Sequence, residues 1–196
     1  MAIRCYIPPV IFSEDKLMRT AKLAKGLVQI YTGNGKGKTT ASLGLALRAV
    51  GNGLRVHIMQ FMKGQTVYGE LEAAKALAPL LTIEQVGRKD FVIPGKIDPI
   101  DVEMAQAAFA RGKALVLSGD YDLVILDELN CAVDLGLIPV TDVTELIALK
   151  PLTTELVLTG RGAHPEMIAL ADLVTEMREI KHYYNAGQPA RVGIES

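Results

Sequence analysis

Short apolar runs alternate with amphipathic stretches along most of the chain. Runs rich in Val, Ile and Leu are typical of buried strands, and apolar residues that recur every three or four positions are typical of helices. These patterns predict strands at residues 27–31, 55–61, 81–86, 121–126, 155–159 and 173–180. They predict helices at residues 41–50, 68–77, 98–119 and 164–171, and another opened by Asp142 and Glu145. Strands that alternate with helices indicate an α/β fold with a mainly parallel sheet flanked by helices.

The segment before the first strand has its own helical pattern. Ser13 has the properties of a helix N-cap, and Phe12 and Leu17 are spaced to form a hydrophobic staple around it. This predicts a lead-in helix at residues 14–25. Since there is no repeat, low-complexity stretch or linker, we expect an N-terminal segment at residues 1–25 and one domain at residues 26–196.

Composition and charge limit the classes of function that this chain can have. Of the 196 residues, 49% are hydrophobic and 22% are charged, and the net charge is −1. This balance argues against a nucleic-acid partner bound through a surface dominated by Lys and Arg. No apolar run reaches the ~18 residues of a membrane span. Cys5 and Cys131 lie far apart in no metal-binding spacing, so we expect free thiols in a reducing compartment and a cytoplasmic protein.

A glycine-rich loop follows the first strand and precedes an apolar helix. Gly33, Gly35 and Gly37 allow backbone N–H groups to approach a phosphate, and the helix start adds unpaired N–H groups. Lys38 brings a positive charge, and Thr39 brings a hydroxyl suited to a magnesium ion. This order predicts a phosphate-binding P-loop; the alternative is a solvated glycine turn before a helix.

The spacing of this loop departs from the usual motif. The pattern G-x-x-x-x-G-K-[ST] would place its first glycine at position 32, which is Thr32 here. The glycine frame from Gly33 to Gly37 is one residue shorter, and Lys36 lies inside it. A shorter loop does not wrap phosphates in the usual way, which argues against ordinary γ-phosphate chemistry.

Two carboxylates, Asp127 and Glu128, follow the apolar residues 123–126. In P-loop proteins such a strand is expected beside the P-loop strand, with its acids near the magnesium ion. We therefore predict a magnesium role for this pair. The alternative is that the acids only end a strand or cap a helix.

Several motifs occur together and in a fixed order. They are Thr32-Gly-Asn-Gly-Lys-Gly-Lys-Thr-Thr40, Gln60-Phe-Met-Lys-Gly64, Val124-Ile-Leu-Asp-Glu-Leu129, Thr159-Gly-Arg-Gly162, Ala171-Asp-Leu-Val-Thr-Glu-Met177, Lys181-His182, Ala186-Gly187 and Gly193-Ile194-Glu195. From about residue 26 onward, the chain resembles the ATP:corrinoid adenosyltransferase family of the P-loop type.

The resemblance implies a RecA-like P-loop fold, a homodimer and a specific reaction. The 5′-deoxyadenosyl group of ATP moves to the cobalt(I) of a reduced corrinoid (cobalamin or a precursor), and triphosphate leaves. It also implies that ATP binds in reversed orientation, which fits the shortened loop. An electron-donor protein for the reduction of cobalt(II) is a further expected partner.

The resemblance also implies site residues. By position, the triphosphate-binding residues are Gly33, Asn34, Gly35, Lys36, Gly37, Lys38, Thr39 and Thr40. Thr39 and Glu128 are expected to approach Mg²⁺, with Asp127 as a further ligand candidate. Arg48, Lys63 and Arg161 are candidates for nucleotide binding, each with surface charge as the alternative. Lys38, Glu128 and Phe91 are the expected catalytic residues.

The corrinoid side departs from the family. Many members carry a Phe and a Trp close together after the third strand, where they help to displace the lower axial ligand of cobalt. Phe91 matches the Phe, but the chain has no Trp, and Ile93 stands nearby. Phe91 as a core residue is the alternative. Two other functions also remain open at this point: a P-loop kinase or ATPase that releases ADP, and a nucleotide-binding regulator without turnover.

Overall fold

The computed structural model describes residues 23–64, 68–88 and 95–195. The strands in these ranges are β1 (Val28–Thr32), β2 (Val56–Gln60), β3 (Leu81–Gln85), β4 (Leu123–Asp127), β5 (Glu155–Thr159) and β6 (Leu173–Glu176). The α-helices are α1 (Lys38–Gly51), α2 (Gly69–Ala76), α3 (Pro99–Ser118), α4 (Leu129–Asp134), α5 (Val140–Leu149) and α6 (Pro165–Leu170), and a 3-10 helix spans Tyr183–Ala186. The predicted α/β fold is confirmed. Each predicted strand is present, β5 with the predicted bounds and the other strands with shifted ends.

All pairings between the six strands are parallel, in the order β3-β2-β4-β5-β1-β6. The expectation that the acid-bearing strand lies beside the P-loop strand is wrong. β5 lies between them, since Val157 pairs with Gln29 of β1 on one side and with Ile125 of β4 on the other. Because the strands are parallel, the carboxyl ends of β1, β2, β4 and β5 still meet at one edge of the sheet, where ligands bind in such folds.

The core has two parts because strand side chains alternate between the faces of the sheet. One buried cluster includes Met59, Leu126 and Leu158 and contains residues of α3, α4 and α5. The other includes Ile58, Ile125 and Val157 and contains residues of α1 and α2. β4 is buried along its whole length because it lies inside the sheet and is covered on both faces. This burial holds the site residues at its end in a fixed place.

The longest described helix begins and ends as the sequence predicts. The Asp98 side chain accepts a hydrogen bond from the backbone N–H of Ile100 at 3.1 Å, and Pro99 is the first helical residue. Gly119 ends α3 in the left-handed conformation, with φ 68°. No described helix is both long and apolar enough to cross a membrane.

Three segments differ from the sequence predictions. α4 was not predicted, and it starts directly after Glu128. The last strand ends at Glu176 rather than at residue 180, because Met177 leaves the sheet edge to pair with the glycine loop. Residues 23–25, at the end of the predicted lead-in helix, are not helical, and the rest of that helix lies outside the described residues. The Gly26 N–H already donates to the Leu152 carbonyl at 2.7 Å, so the chain is directed into β1.

Candidate functional site

The glycine loop lies against the chain that follows β6. The Gly35 N–H donates to the Met177 carbonyl at 2.7 Å, and the Met177 N–H donates to the Thr32 carbonyl at 2.8 Å. Gly33 has φ 93°, and a Cβ there would lie 2.5 Å from the Met177 carbonyl oxygen. A side chain at this position therefore has neither the backbone conformation nor the space that it needs. The loop shape thus depends on glycine and on the neighbouring segment.

Lys38 is buried beneath this loop, with 8% of the residue exposed. Its Nζ donates to the carbonyl oxygens of Gly33 at 2.7 Å and Gly35 at 2.9 Å. An ammonium group has three N–H donors, so one remains for another acceptor. Burial lowers the pKa of Lys38, while the nearby Glu128 carboxylate opposes that change. The loop therefore holds a partly dehydrated positive charge at a defined point.

Helix α1 starts at Lys38, and its N-cap is Gly37, which has no side chain that could accept a hydrogen bond from the first helical N–H groups. The first N–H groups of a helix have no partner within the helix, and they carry the positive end of its dipole. Thr39 and Thr40 belong to this first turn. An anion with several oxygens fits this arrangement, as phosphates do at other helix starts.

A cavity of about 540 Å³ opens above the loop. Its lining comprises residues 36–40, Leu43, Lys63, residues 68–70, Glu128 and residues 193–195. The loop side is basic and polar, whereas Leu43, Tyr68 and Ile194 supply apolar surface. A ligand with an anionic part and an apolar part matches these walls.

Asp127 is fully buried at the end of β4 and links this edge of the sheet. Its Oδ1 accepts hydrogen bonds from the Thr39 hydroxyl at 2.9 Å and the Thr159 hydroxyl at 2.6 Å. Its Oδ2 lies 2.8 Å from the Lys63 Nζ. Burial alone would lower the pKa of Lys63, but the Asp127 carboxylate outweighs burial and raises it. Both predicted residues Lys63 and Asp127 are thus brought to the loop as an ion pair.

Glu128 has a different setting from Asp127. It lies in the left-handed region with φ 64°, which turns the chain from β4 into α4. Its N–H donates to the Thr159 hydroxyl at 3.1 Å, and its Oε2 accepts from the Cys131 thiol at 3.0 Å. Glu128 lines the cavity. Burial raises the pKa of Cys131 to about 12, with the Glu128 charge as the next cause.

Other predicted residues lie further from the cavity walls. Arg48 and Arg161 are exposed, and neither lines the cavity among the described residues. The Arg161 N–H donates to the Cys131 sulfur at 3.1 Å. Asn34 is exposed in the loop outside the cavity lining, whereas the exposed Lys36 lines it. Phe91 and Ile93 lie outside the described residues.

Sequence reasoning missed polar contacts that the structure forms at this edge of the sheet. Thr159 donates to Asp127, and Gln60 donates to Glu70 through Nε2 at 3.1 Å. Gln85 donates to the Gln60 Oε1 at 3.0 Å. Gln60, Gln85 and Thr159 are the last residues of their strands. A polar residue at the carboxyl end of a strand was therefore the available signal, whereas nothing local marks Glu70.

Comparison with known proteins adds independent information. The family model described as ATP:corrinoid adenosyltransferase BtuR/CobO/CobP matches residues 24–196. The corrinoid adenosyltransferase of Escherichia coli is 34% identical over 181 residues, which cover 92% of this chain and 91% of that protein. Corrinoid adenosyltransferase CobA of Salmonella typhimurium is 35% identical, with the same coverage. The corrinoid adenosyltransferase of Pseudomonas aeruginosa is 36% identical, over 92% of this chain and 89% of that protein.

Proposed function

The chain belongs to the ATP:corrinoid adenosyltransferase family, and we propose that its adenosyl transfer takes place in the cavity above the glycine loop. The reaction moves the 5′-deoxyadenosyl group of ATP to cobalt(I) of a reduced corrinoid and releases triphosphate. The corrinoid is a substrate here. Its cobalt(I) is already a strong nucleophile, so the protein must mainly orient carbon 5′ and stabilise the charge that develops on the leaving triphosphate.

The observation that carries this proposal is the position of Lys38. Its Nζ is held by the Gly33 and Gly35 carbonyls, and its remaining N–H is available to a phosphate oxygen. The uncapped N–H groups at the start of α1 and the ammonium of Lys36 add positive potential on the same wall. Because these donors are already in place, little reorganisation is needed as the triphosphate leaves.

Thr39, Glu128 and Asp127 fit a magnesium ion by their chemistry, because hydroxyl and carboxylate oxygens are the ligands that Mg²⁺ prefers. Thr39 and Glu128 line the cavity, so they are the residues that would hold the ion together with phosphate oxygens. The Asp127 oxygens are engaged by Thr39, Thr159 and Lys63, so Asp127 orients the Thr39 hydroxyl. When bound, Mg²⁺ would neutralise part of the charge on the triphosphate.

The further assignments rest on the family resemblance. We propose Phe91 as the residue that excludes the lower ligand of cobalt, and Arg48 and Arg161 as additional nucleotide contacts. Lys63 serves the nucleotide site through Asp127, with which it forms an ion pair. The proposal also includes a homodimer and an electron-donor protein that reduces cobalt(II). It divides the chain into an N-terminal segment, residues 1–25, and one domain, residues 26–196.

The proposal is tested with ATP and chemically reduced cobalamin, followed by the visible spectrum and by analysis of the phosphate product. Lys38→Ala should abolish turnover and weaken ATP binding about 10- to 150-fold, since a charge-assisted contact contributes about 1.5–3 kcal/mol. Lys113→Ala is the matched control, because Lys113 pairs with Glu145 away from the cavity lining. Wild-type ATP binding in a folded Lys38→Ala protein would remove Lys38 from the site. Release of ADP instead of triphosphate would indicate phosphoryl transfer.

A further inference from the structure

The segment that follows β6, residues 177–195, forms part of the cavity wall. Met177 is tied to the glycine loop through Thr32 and Gly35. The chain then passes through the 3-10 helix Tyr183–Ala186 and returns, so that residues 193–195 line the cavity. We call residues 177–195 the tail.

A cluster of three side chains closes the tail on itself. The Glu195 carboxylate accepts hydrogen bonds from the Tyr183 hydroxyl and from the Arg191 backbone N–H, the latter at 2.8 Å. It also accepts from the Arg191 guanidinium, with Nη2 at 3.0 Å and Nε at 3.3 Å. The guanidinium carbon lies 4.9 Å from the centre of the Tyr183 ring. The bonds from Arg191 and Tyr183 lower the pKa of Glu195 to about 2, so the carboxylate is charged at neutral pH.

This cluster, rather than burial, holds the tail in shape. Residues 178–195 are exposed or half-buried. Among the described residues, the hydrogen bonds of residues 178–195 stay within that segment. The position of residues 193–195 therefore depends on the ring of contacts that joins Tyr183, Arg191 and Glu195.

Ile194 gives this wall its chemical character. It is 58% exposed and lines the cavity with Leu43 and Tyr68, whereas the loop wall carries lysines and threonines. Under the proposed function, the loop wall receives the triphosphate. The apolar surface that remains suits the adenosyl part of ATP, because a purine ring gains from covering apolar groups.

We propose that Glu195 is a positioning residue for the adenosyl part of ATP: through Tyr183 and Arg191 it holds the tail so that Ile194 faces the nucleoside. This inference rests on the proposed function. Glu195 lines the cavity next to Ile194, and its effect on the nucleoside passes through the place of Ile194. Loss of its carboxylate leaves the sheet and the glycine loop intact and reduces the fraction of molecules whose tail is in position.

The test uses calorimetry on the full chain without corrinoid. It compares the binding of two ligands, ATP and inorganic triphosphate. If Glu195→Gln reduces the positioned fraction to about one tenth, the Kd for ATP rises about tenfold. The Kd for triphosphate should change less than about twofold, because triphosphate needs only the loop wall, and the Tm should change little. Ile194→Ala should show the same split between the ligands. Arg191→Gln combined with Glu195→Gln should be no worse than either alone, since both break one unit.

Glu179→Gln is the matched control, since it removes the same charge from the tail but contacts Asn185 instead of Arg191. It should bind both ligands as the wild type does. An unchanged Kd for ATP in Glu195→Gln overturns the inference, and so does equal weakening of both ligands, which would mean that the tail supports the loop. Lys38→Ala is expected to weaken both ligands. If Lys38→Ala binds both ligands as the wild type does, the proposed loop site is refuted. The comparison of ATP with triphosphate in Glu195→Gln still tests the role of Glu195.

Discussion

Replacing Asp127 by asparagine should destabilise the fold as well as disturb the site. Asparagine keeps the size of the side chain but removes its charge. One of its polar atoms becomes an NH₂ donor beside the Lys63 ammonium, which lies 2.8 Å from Asp127 Oδ2 in the wild type. The Thr39 and Thr159 hydroxyls then share a neutral acceptor in place of a carboxylate. The variant therefore leaves a half-buried cation without its counter-charge.

The expected loss is about 3–5 kcal/mol of unfolding free energy, as for a buried ion pair that loses one partner. The Lys63 side chain is 17% exposed, so it can turn toward the cavity and regain water, which favours the lower end of that range. With a urea m-value of about 2 kcal/mol/M, a loss of 3 kcal/mol lowers the midpoint of unfolding by about 1.5 M. Urea unfolding followed by circular dichroism measures this shift.

Two controls separate burial of charge from other effects. Asp127→Asn combined with Lys63→Met should be more stable than Asp127→Asn alone, because the unpaired ammonium is gone. Arg111→Gln breaks an ion pair with Glu84 whose side chains are both more than one third exposed, and it should cost less than about 1 kcal/mol. A loss below 1 kcal/mol for Asp127→Asn, or additive effects in the double variant, would refute the reasoning.

Three further predictions concern Glu128, Cys131 and His57. Glu128→Gln should raise the Mg²⁺ concentration needed for activity, since an amide attracts the cation less; an unchanged magnesium titration would place Glu128 outside the metal site. Iodoacetamide at pH 8 should leave Cys131 unlabelled in the native protein and label it in urea, because burial and then the Glu128 charge raise its pKa to about 12. Mass spectrometry of the peptide measures the labelling, and rapid labelling of the native protein would contradict this prediction. His57 is buried, its Nε2 has no partner among the described residues, and burial lowers its pKa. The unfolded chain then binds more protons than the native protein near and below pH 6.5, so the free energy of unfolding should fall as the pH drops through that region. The fall should be smaller in His57→Asn, and an equal pH dependence in both proteins would refute the prediction.

Local signals account for much of what was predicted correctly. The first strand, the glycine loop and the apolar helix behind it are adjacent in sequence, so local patterns alone predicted their order. Asp98, Pro99 and Gly119 marked the ends of α3 because capping depends on neighbouring residues. Helix α4 escaped prediction because its six residues are too few for a helical repeat to show, and Glu128, which precedes it, makes no side-chain capping hydrogen bond.

By itself, then, the sequence determined the α/β class, the strands, the glycine loop between β1 and α1 and, through ordered motifs, the family. The order of strands required the tertiary structure, since pairing joins residues far apart in sequence and periodicity carries no information about neighbours. The structure also decided which acid faces Thr39. Asp127 and Glu128 are adjacent, but Asp127 ends a buried strand, whereas the left-handed turn at Glu128 directs that residue to the cavity wall. Packing at the end of β4 therefore decides that Asp127 is buried and that Glu128, one residue later, lines the cavity.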